Sequence, residues 1–321
     1  MGIKKELFIC FVFAGSYCFA QVDSTASTNY IQKYHDKIAL KLLFINAPNN
    51  FFFTNENDDI KYNIIPNKKE RIALNVQYRA IEFGVGISPN FLPGNDPDSN
   101  AEIYNLNFRG FYKGWVCNLS FYHQKGFDIS YDGTRTEAPK FETNKIGGSI
   151  AYSFNENFSY RATIGQREWQ RKNAGSFMPS VYWFYTNFVM ESSGFDNNNG
   201  AFNIALAPSY FYNYVIGKNI LLTAGTSAGF GLNYNNFGDE TSIKPLYEFA
   251  LNAGVSFNYN RFFYGVQGNV IFLKQKLNNY MRLSDNITYV NVHVGYRFPA
   301  PKALTKTADK INEKLNLPKE D

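Results

Sequence analysis

A strict alternation of large apolar residues with small or polar ones along residues 247–270 constrains the fold of this chain more than any other feature. In YEFALNAGVSFNYNRFFYGVQGNV the apolar face runs from Tyr247 to Phe257 and resumes at Phe262. A period of two is that of a β-strand, and the polar turn between the arms predicts an antiparallel hairpin. Each arm is about 12 residues long, roughly twice the usual strand length of about 5 to 6. Because each arm is apolar on one face only, either lipid or another protein layer must cover that face.

The same alternation recurs along almost the whole chain. It predicts further strands at Lys37–Ile45, Arg71–Arg79, Ile81–Ser88, Glu102–Tyr112, Trp115–Gln124, Ile146–Phe154, Phe158–Arg167, Phe202–Tyr214, Ile220–Leu232 and Asn286–Phe298. Short connections between these strands alternate with long connections rich in Asn, Asp, Gly and Pro. This pattern is typical of an all-β fold, a transmembrane antiparallel β-barrel with short periplasmic turns and long extracellular loops.

Strand parity decides between the candidates in the middle of the chain. Ser176–Phe188 also alternates, and including it gives about 13 strands. If both termini lie in the periplasm, the number of spanning strands must be even. We therefore interpret residues 168–200 as one long extracellular excursion and predict about 12 spanning strands, with about 10 to 14 compatible with the pattern.

The start of the chain is predicted to be a secretory signal peptide. Lys4 and Lys5 precede an apolar run from Leu7 to Phe13, and cleavage is expected after Ala20. An exported barrel of this kind is predicted to reside in the outer membrane of a Gram-negative bacterium.

Three regions follow the signal peptide at residues 1–20. Pro299 and Pro301 end the last predicted strand, and the polar, weakly amphipathic sequence after them predicts a helix. The regions are a periplasmic N-terminal segment at 21–35, the barrel at 36–299, and a partly helical periplasmic tail at 300–321.

Composition excludes several classes of protein. Cys117 is the one cysteine outside the signal peptide, so an internal disulfide is excluded in the mature chain. The formal net charge of +5 is small and scattered, unlike the concentrated basic face of a nucleic-acid-binding protein. No stretch after residue 20 has about 18 consecutive apolar residues, so no transmembrane helix is predicted. Metal-ligand spacing and a phosphate-binding glycine loop are both missing, and no cofactor is expected.

The predicted inward face of the barrel carries more basic than acidic residues. Rings of Arg and Lys favour anions in pores, so one interpretation is a path for a small anionic solute. The alternative is that these side chains pair with acidic ones and fill a narrow barrel. The basic set is Lys41, Arg79, Arg109, Lys113, Arg161 and Arg297, and the acidic partners are Glu82 and Glu248.

Aromatic residues flank the predicted short turns. Trp and Tyr are enriched where a membrane protein meets the lipid headgroups, and barrels carry such girdles at both interfaces. The predicted interface aromatics are Tyr112, Trp115, Phe154, Phe158, Tyr259 and Phe262.

Catalytic residues are not evident in the sequence. The stretch 225–229 matches G-x-S-x-G, but it lies inside a predicted strand, whereas that motif requires a strand, a sharp turn and a helix. A lipid-modifying barrel enzyme would need a Ser or Thr beside His123 or His293 at a lipid-accessible rim. We therefore predict that the protein is not an enzyme.

A basic stretch lies in the predicted extracellular excursion. It comprises Gln170–Asn173 with Arg167 just before it. One interpretation is contact with lipopolysaccharide phosphates, and the alternative is an ordinary solvated loop.

Several local strings resemble the domain of unknown function 4421 family of Gram-negative envelope proteins. They are YHDKIALK at 34–41, Pro66-Asn67 followed by Tyr78-Arg79, YHQKGF at 122–127, FSYRA at 158–162, WQRKNAGSF at 169–177 and GYRF at 295–298 with Pro301-Lys302 after it. The family more often has Ser at the position of Asn173 and is more aromatic at 122–127. The resemblance implies a barrel in the outer membrane and adds no activity or catalytic residues.

Together these observations predict a non-catalytic outer-membrane barrel, either channel-like or a structural or binding protein of the envelope. Its expected partners are outer-membrane lipid and lipopolysaccharide, and nucleic acid is not expected. One alternative is a lipid-modifying outer-membrane enzyme. Another is a soluble secreted β-barrel that binds an apolar ligand.

Overall fold

The computed structural model describes residues 30–34, 36–47, 49–55, 60–95, 101–165, 167–190, 199–237, 240–276 and 281–314. The predicted signal peptide and most of the predicted segment 21–35 lie outside the described residues. The described helices are α1 (Tyr160–Thr163) and α2 (Lys302–Lys314). In chain order the strands are β1 (Ile31–Lys33), β2 (Lys37–Asn46), β3 (Asn49–Asn55), β4 (Ile60–Pro66), β5 (Glu70–Tyr78), β6 (Ile81–Ile87), β7 (Glu102–Tyr112), β8 (Trp115–Tyr131), β9 (Thr134–Tyr152), β10 (Glu168–Gln170), β11 (Ala174–Met178), β12 (Ser180–Met190), β13 (Asn199–Leu206), β14 (Ser209–Ile216), β15 (Ile220–Phe237), β16 (Glu240–Tyr259), β17 (Phe262–Lys276) and β18 (Met281–Pro299).

Twelve antiparallel strands close into a barrel. The order around the ring is β2, β5, β6, β7, β8, β9, β12, β13, β15, β16, β17 and β18. Pairing of β18 with β2, from Val290 opposite Asn46 to Pro299 opposite Lys37, closes the ring. The prediction of an antiparallel barrel of about 12 strands is confirmed.

Shorter strands complete the wall. β3 extends the line of β2 and pairs with β18, while β4 pairs with both β3 and β8. Pro179 separates β11 from β12, and Pro208 separates β13 from β14. Proline has no N–H to donate to a ladder, which explains why these two lines are interrupted.

The two ends of the barrel differ in their connections. One end, called the short-turn end below, contains the turns at 79–80, 113–114, 217–219 and 260–261. At the opposite end β8 and β9 meet in a turn of two residues. Lys113-Gly114 and Asp132-Gly133 have positive φ at both positions, as a type I′ hairpin turn requires.

The outer surface of the barrel is apolar. Alternate residues of every ring strand point outward, and large hydrophobic side chains on them are exposed. One example from each ring strand is Phe44, Leu74, Val85, Phe108, Leu119, Ile150, Trp183, Ile204, Leu222, Phe249, Val266 and Val292.

The inner surface is largely polar. Asn233, on β15, donates hydrogen bonds to Asn203 Oδ1 at 2.5 Å and to Gln275 Oε1 at 2.9 Å. These three amides join strands β13, β15 and β17 inside the barrel. The barrel is thus built inside out relative to a soluble one, with its continuous apolar face on the outside.

The prediction that residues 168–200 form one extracellular excursion is wrong for the described part of that range. β12 pairs with β9 along Ser180–Met190 and with β13 on its other side, so it is a ring strand. The predicted strand Phe158–Arg167 is instead outside the wall, and residues 155–157, between it and β9, lead into the barrel. The prediction of an even number of strands is confirmed. The candidate to exclude from the wall is Phe158–Arg167 and not Ser176–Phe188.

Local capping explains why residues 158–167 leave the wall. The Ser159 hydroxyl accepts a hydrogen bond from the Ala162 N–H and begins α1. Gly165 follows the helix with φ of +64°, the left-handed conformation that ends many helices. The alternating sequence is therefore coiled into one helical turn.

Helix α2 lies in the tail for which a partly helical structure is predicted, and residues 315–321 are outside the described residues. It is tied to the short-turn end by Asp309, whose carboxylate contacts Arg79 at 2.7 Å. Of the described helices, neither has the length and apolar character needed to cross a bilayer.

Candidate functional site

A segment of the chain fills the lumen at the short-turn end, and residues 155–173 are called the plug segment below. It connects β9 to β11 and contains α1 and β10. Phe158 is buried against Phe111 and Val116 of the wall and Met178 of β11. This burial corrects the prediction that Phe158 is an interface aromatic.

Three wall strands hydrogen-bond to the backbone around the end of α1. Lys41 Nζ, on β2, donates to the carbonyl oxygen of Ile164 at 2.9 Å. Gln267 Nε2, on β17, donates to the carbonyl oxygen of Thr163 at 2.7 Å. Strand β5 contributes Gln77, whose Oε1 accepts from the Arg167 N–H at 3.0 Å.

Strand β14 and the turn after it hold the other side of the plug segment. Asn213, on β14, accepts from the Thr163 hydroxyl at 3.0 Å and donates to the Ser159 carbonyl at 3.0 Å. Trp169 Nε1 donates to the Lys218 carbonyl at 3.1 Å. Hydrogen bonds from four wall strands and one turn therefore fix the plug segment in position.

The N-terminal strand β1 joins the plug segment. β1 pairs antiparallel with β10, Ile31 opposite Gln170 and Lys33 opposite Glu168. Gln170 is fully buried and donates to the Asn157 carbonyl at 2.7 Å. The two strands form a small separate sheet at the short-turn end.

A compact charge cluster lies beside the plug segment. Glu82 Oε2 accepts from Arg109 Nη1 at 3.1 Å, and Glu82 Oε1 accepts from Asn75 at 2.6 Å. The Glu82 carboxylate is buried, as is the nearby Lys41 ammonium. Of these two predicted lumen cations, Arg109 is therefore paired with Glu82, and Lys41 lies within electrostatic reach of the same carboxylate while it donates to the Ile164 carbonyl of the plug segment.

Two further predicted lumen cations are buried among aromatic rings. Arg161 belongs to α1 rather than to the wall, forms an ion pair with Glu168 at 3.4 Å and lies over the Phe111 ring. Arg297 stacks against Tyr34 and Phe263, with guanidinium-to-centroid distances of 4.1 and 4.3 Å. Both positions suit a buried packing role.

The last two predicted lumen cations lie outside the lumen, which corrects their assignment. Lys113 is exposed in a type I′ turn beside Tyr112. Arg79, in the turn after β5, bridges Asp36 at 3.3 Å and Asp309 at 2.7 Å. Partial burial alone would lower the pKa of the Arg79 guanidinium, but its hydrogen bonds to the two carboxylates outweigh that effect and raise the pKa.

A cavity of about 380 Å³ lies in the lumen against the plug segment. Tyr160 of α1 lines it from the plug side, and Lys145, Tyr182 and Glu248 line it from three wall strands. Glu248 lies beside Tyr182 and within electrostatic reach of Lys145. Two cations, Arg109 and Lys145, and one anion, Glu248, face this space. Arg109 is already paired with Glu82, so the cavity is not the strongly positive path that the inward basic residues suggested.

Two buried amide oxygens lie on the cavity wall. Asn118 Oδ1 and Asn269 Oδ1 make no hydrogen bond to any described residue. Buried polar groups normally bond to protein, water or ligand. Sequence reasoning missed Lys145, Tyr182 and Asn118, whose only signal is their position on the inward face of an alternating strand.

The other predicted interface aromatics lie on the outside of the barrel near the short-turn end. Their side chains are exposed, and Trp115 packs on Tyr152 with centroids 4.9 Å apart. The set is Tyr112, Trp115, Phe154, Tyr259 and Phe262.

The two described histidines occupy different surroundings. His123 is on the outer face, with Nδ1 2.8 Å from Asn144 Oδ1, and it stacks on Tyr104. His293 is buried in the lumen, with Nδ1 3.2 Å from Asn291 Oδ1 and Nε2 facing Gly165 of the plug segment. Neither hydrogen bond involves a hydroxyl group.

The G-x-S-x-G stretch lies within β15, and its Ser227 lines the cavity wall. Within the described ranges, no three or more His, Cys, Asp and Glu side chains are arranged to hold a metal ion.

The basic stretch predicted in an extracellular loop belongs to the plug segment, at the short-turn end of the barrel. Gln170 and Arg167 are buried under the barrel wall, and Arg171 and Lys172 lie beside Gln32 and Tyr30 at the short-turn end. The correction follows from the inward course of residues 155–173, which keeps this stretch at the end where β9 finishes.

Comparison with known proteins gives one family and several solved barrels. The family model described as Domain of unknown function (DUF4421) matches residues 21–298. No match is found among curated proteins. Similar structures include the beta domain of the Bordetella autotransporter BrkA, with 13% identity, coverage of 82% of this chain and 99% of that chain, and a TM-score of 0.43.

Two further solved structures are similar at the same level. An outer membrane channel from Pseudomonas putida F1 has 9% identity, coverage of 87% and 100%, and a TM-score of 0.38. The outer membrane protease OmpT from Escherichia coli has 11% identity, coverage of 85% and 100%, and a TM-score of 0.33. At TM-scores below 0.5, these likenesses carry no information on the activity of this chain.

Proposed function

The chain belongs to the family described as Domain of unknown function (DUF4421), and from that premise we propose that it is a non-catalytic outer-membrane barrel. In this proposal the plug segment closes the lumen to free diffusion, and the cavity beside it binds a small polar solute. The observation that carries the proposal is the plug segment itself, held inside the ring by hydrogen bonds from four wall strands.

The membrane position is supported by the outer surface. Every ring strand exposes large hydrophobic side chains outward, which in water would be an aggregation-prone surface. A closed barrel leaves no unpaired edge, the condition that lipid imposes on β-structure. The soluble secreted barrel would need a second layer over this belt.

The orientation follows from the connections. Outer-membrane barrels place their short turns in the periplasm, so the short-turn end, with β1, the plug segment and α2, faces the periplasm. The cavity is then separated from the periplasm by the plug segment.

Fractionation tests the membrane position. The protein should sediment with outer membranes, resist extraction by urea, and run faster on a gel before boiling than after. Recovery in the aqueous periplasm without detergent would contradict the proposal and favour the soluble barrel.

Liposome swelling tests the closed lumen. Vesicles that contain the folded protein should swell in isotonic L-arabinose no faster than protein-free vesicles. Rapid swelling would favour an open channel, the channel-like role, over a closed barrel.

Solute binding is supported by the unpartnered amide oxygens of Asn118 and Asn269 and by the opposed charges of Lys145 and Glu248. A bound solute stabilises the folded state by mass action. We expect L-arabinose or glycine, but not inorganic phosphate, to raise the temperature at which the fast-running gel form is lost. Absence of any shift with both probes would count against the cavity as a site for such solutes.

Phospholipid hydrolysis tests the non-catalytic part of the proposal. The purified barrel should not release fatty acid from phospholipid vesicles above background. Release that disappears in His123→Ala would favour the lipid-modifying enzyme instead.

A further inference from the structure

Helix α2 carries a basic stripe. Its lysines recur at intervals of four, so they lie along one side of the helix, and all four side chains are exposed. They are Lys302, Lys306, Lys310 and Lys314.

An apolar stripe runs along another side of α2. Leu304, Ala308 and Ile311 recur at i, i+4 and i+7, the spacing of one helical face. At 3.6 residues per turn, the centres of the basic and apolar stripes are about 150° apart. Leu304 and Ile311 are 39% and 50% exposed, so the described part of the chain leaves this stripe uncovered.

Polar contacts dock a third side of α2 against the barrel. Asp309 receives a hydrogen bond from Arg79 at 2.7 Å, and Thr305 lies 3.5 Å from the Tyr78 hydroxyl. Tyr78 shares the outward face of β5 with Leu74 and Val76, which belong to the apolar belt. The helix therefore docks at the edge of that belt nearest the short-turn end. The side chains that attach it, Thr305 and Asp309, belong to neither stripe.

We propose that α2 lies in the headgroup region of the inner leaflet, with its apolar stripe in the acyl-chain boundary and its lysines on the phosphates of anionic phospholipid. This inference rests on the proposed outer-membrane location. A helix with a charged face opposite an apolar face lies in the plane of a membrane interface. Lysine side chains near such a surface extend toward the headgroups while their stems cover apolar surface.

Two observations favour lipid over a second protein as the occupant of the apolar stripe. The helix docks on Tyr78, which is in line with the outward residues Leu74 and Val76 of the apolar belt. It carries four lysines against two carboxylates, one of which, Asp309, is paired with Arg79. Anionic lipid attracts clusters of Lys and Arg, with an effect that falls off over a Debye length. A second copy of the chain would bring an identical basic stripe and would be repelled.

Spin labelling in vesicles tests this position. Nitroxides are attached to Ile311→Cys, Lys310→Cys and Phe249→Cys in a Cys117→Ser background, using the mature protein purified from outer membranes. The vesicles contain phosphatidylethanolamine and phosphatidylglycerol. Power saturation then compares access to oxygen, which concentrates in lipid, with access to a water-soluble nickel chelate.

The proposal expects the label at 311 to favour oxygen severalfold over nickel and the label at 310 to show the reverse. In phosphatidylcholine vesicles, or when Lys302, Lys306 and Lys314 are changed to Gln, the label at 311 should move toward water. The label at 249 reports barrel insertion independently.

Two results would overturn this proposal without contradicting the outer-membrane location of the barrel. One is a label at 311 that is as accessible to nickel as the label at 310. The other is a label at 311 shielded from both reagents, with spin–spin broadening lost on dilution with unlabelled protein, which indicates a second copy. If the label at 249 also favours nickel, the outer-membrane location itself is wrong.

Discussion

The Lys41 ammonium, on β2, donates a 2.9 Å hydrogen bond to the carbonyl oxygen of Ile164, the C-terminal capping residue of α1. A helix of one turn leaves its last carbonyl groups without partners inside the helix. Lys41 and Gln267 supply donors to two of these groups, so the barrel wall completes the hydrogen bonding of the plug helix. Plug and wall are therefore one hydrogen-bonded unit.

Lys41→Met should loosen the plug segment without unfolding the barrel. The substitution removes a charge-assisted hydrogen bond worth about 1.5–3 kcal/mol, while Glu82 keeps Arg109 as its partner. In planar bilayers the variant should show brief openings at least about tenfold more often than the parent. Lys113→Met, in an exposed turn, is the matched control and should behave like the parent.

Gly165→Ala should destabilise the protein more than Gly133→Ala. Both glycines have positive φ, so both substitutions carry the same conformational strain. A Cβ at residue 165 would lie 2.7 Å from His293 Nε2, whereas nothing lies within 4 Å at residue 133. We expect an extra cost of about 1–3 kcal/mol in urea unfolding. If the two variants lose equal stability, this contact does not contribute. The same conclusion follows if His293→Ala does not restore stability to Gly165→Ala.

Glu82→Gln should be strongly destabilising. It leaves the buried Lys41 ammonium and the half-buried Arg109 guanidinium without a carboxylate, and breaking one partner of a buried ion pair costs about 3–5 kcal/mol. Asp36→Asn, which removes an exposed partner of Arg79, should cost no more than about 1 kcal/mol. Urea unfolding in detergent measures both changes, and similar losses would contradict the buried character of the Glu82 cluster.

Arg297→Lys should lower stability even though the charge is kept. The guanidinium lies between two aromatic rings and donates to Asn258 Oδ1 at 2.6 Å and to the Asn260 carbonyl at 3.0 Å. A lysine cannot reproduce the planar stack, so we expect a loss of about 1–2 kcal/mol. The temperature at which the fast-running gel form disappears should fall. It should not fall in Arg261→Lys, where the arginine is exposed, and a fall of the same size there would contradict the stacking argument.

The barrel wall is predictable from sequence because its outward face is apolar on every ring strand. Because of this apolar outward face, hydrophobic residues recur with a period of two in segments as far apart as Lys37–Ile45 and Asn286–Phe298. The parity of the strand number also follows, because a barrel whose two chain termini lie on the same side of the membrane has an even number of strands.

The plug segment is not predictable by the same signal. Phe158, Tyr160, Ala162 and Ile164 alternate with polar residues as a wall strand would, yet they form a helical turn and its ends. A Ser159 cap followed by Gly165 is a weak helix signal that could have suggested this. A local sequence pattern cannot reveal the hydrogen bonds between the wall and the plug segment, because partners such as Lys41 and Ile164 are separated by 123 residues.

Single-molecule conductance before and after removal of the plug segment tests the closed barrel most directly. Phe154 and Phe177 are already hydrogen-bonded neighbours, so a short Gly-Ser linker can replace residues 156–173. Heat-modifiable gel mobility must show that the shortened barrel still folds. We predict that the parent protein shows no steady conductance in planar bilayers, only rare brief openings, and that the shortened barrel conducts steadily. Steady conductance by the parent, or silence of a folded shortened barrel, would contradict closure by the plug segment.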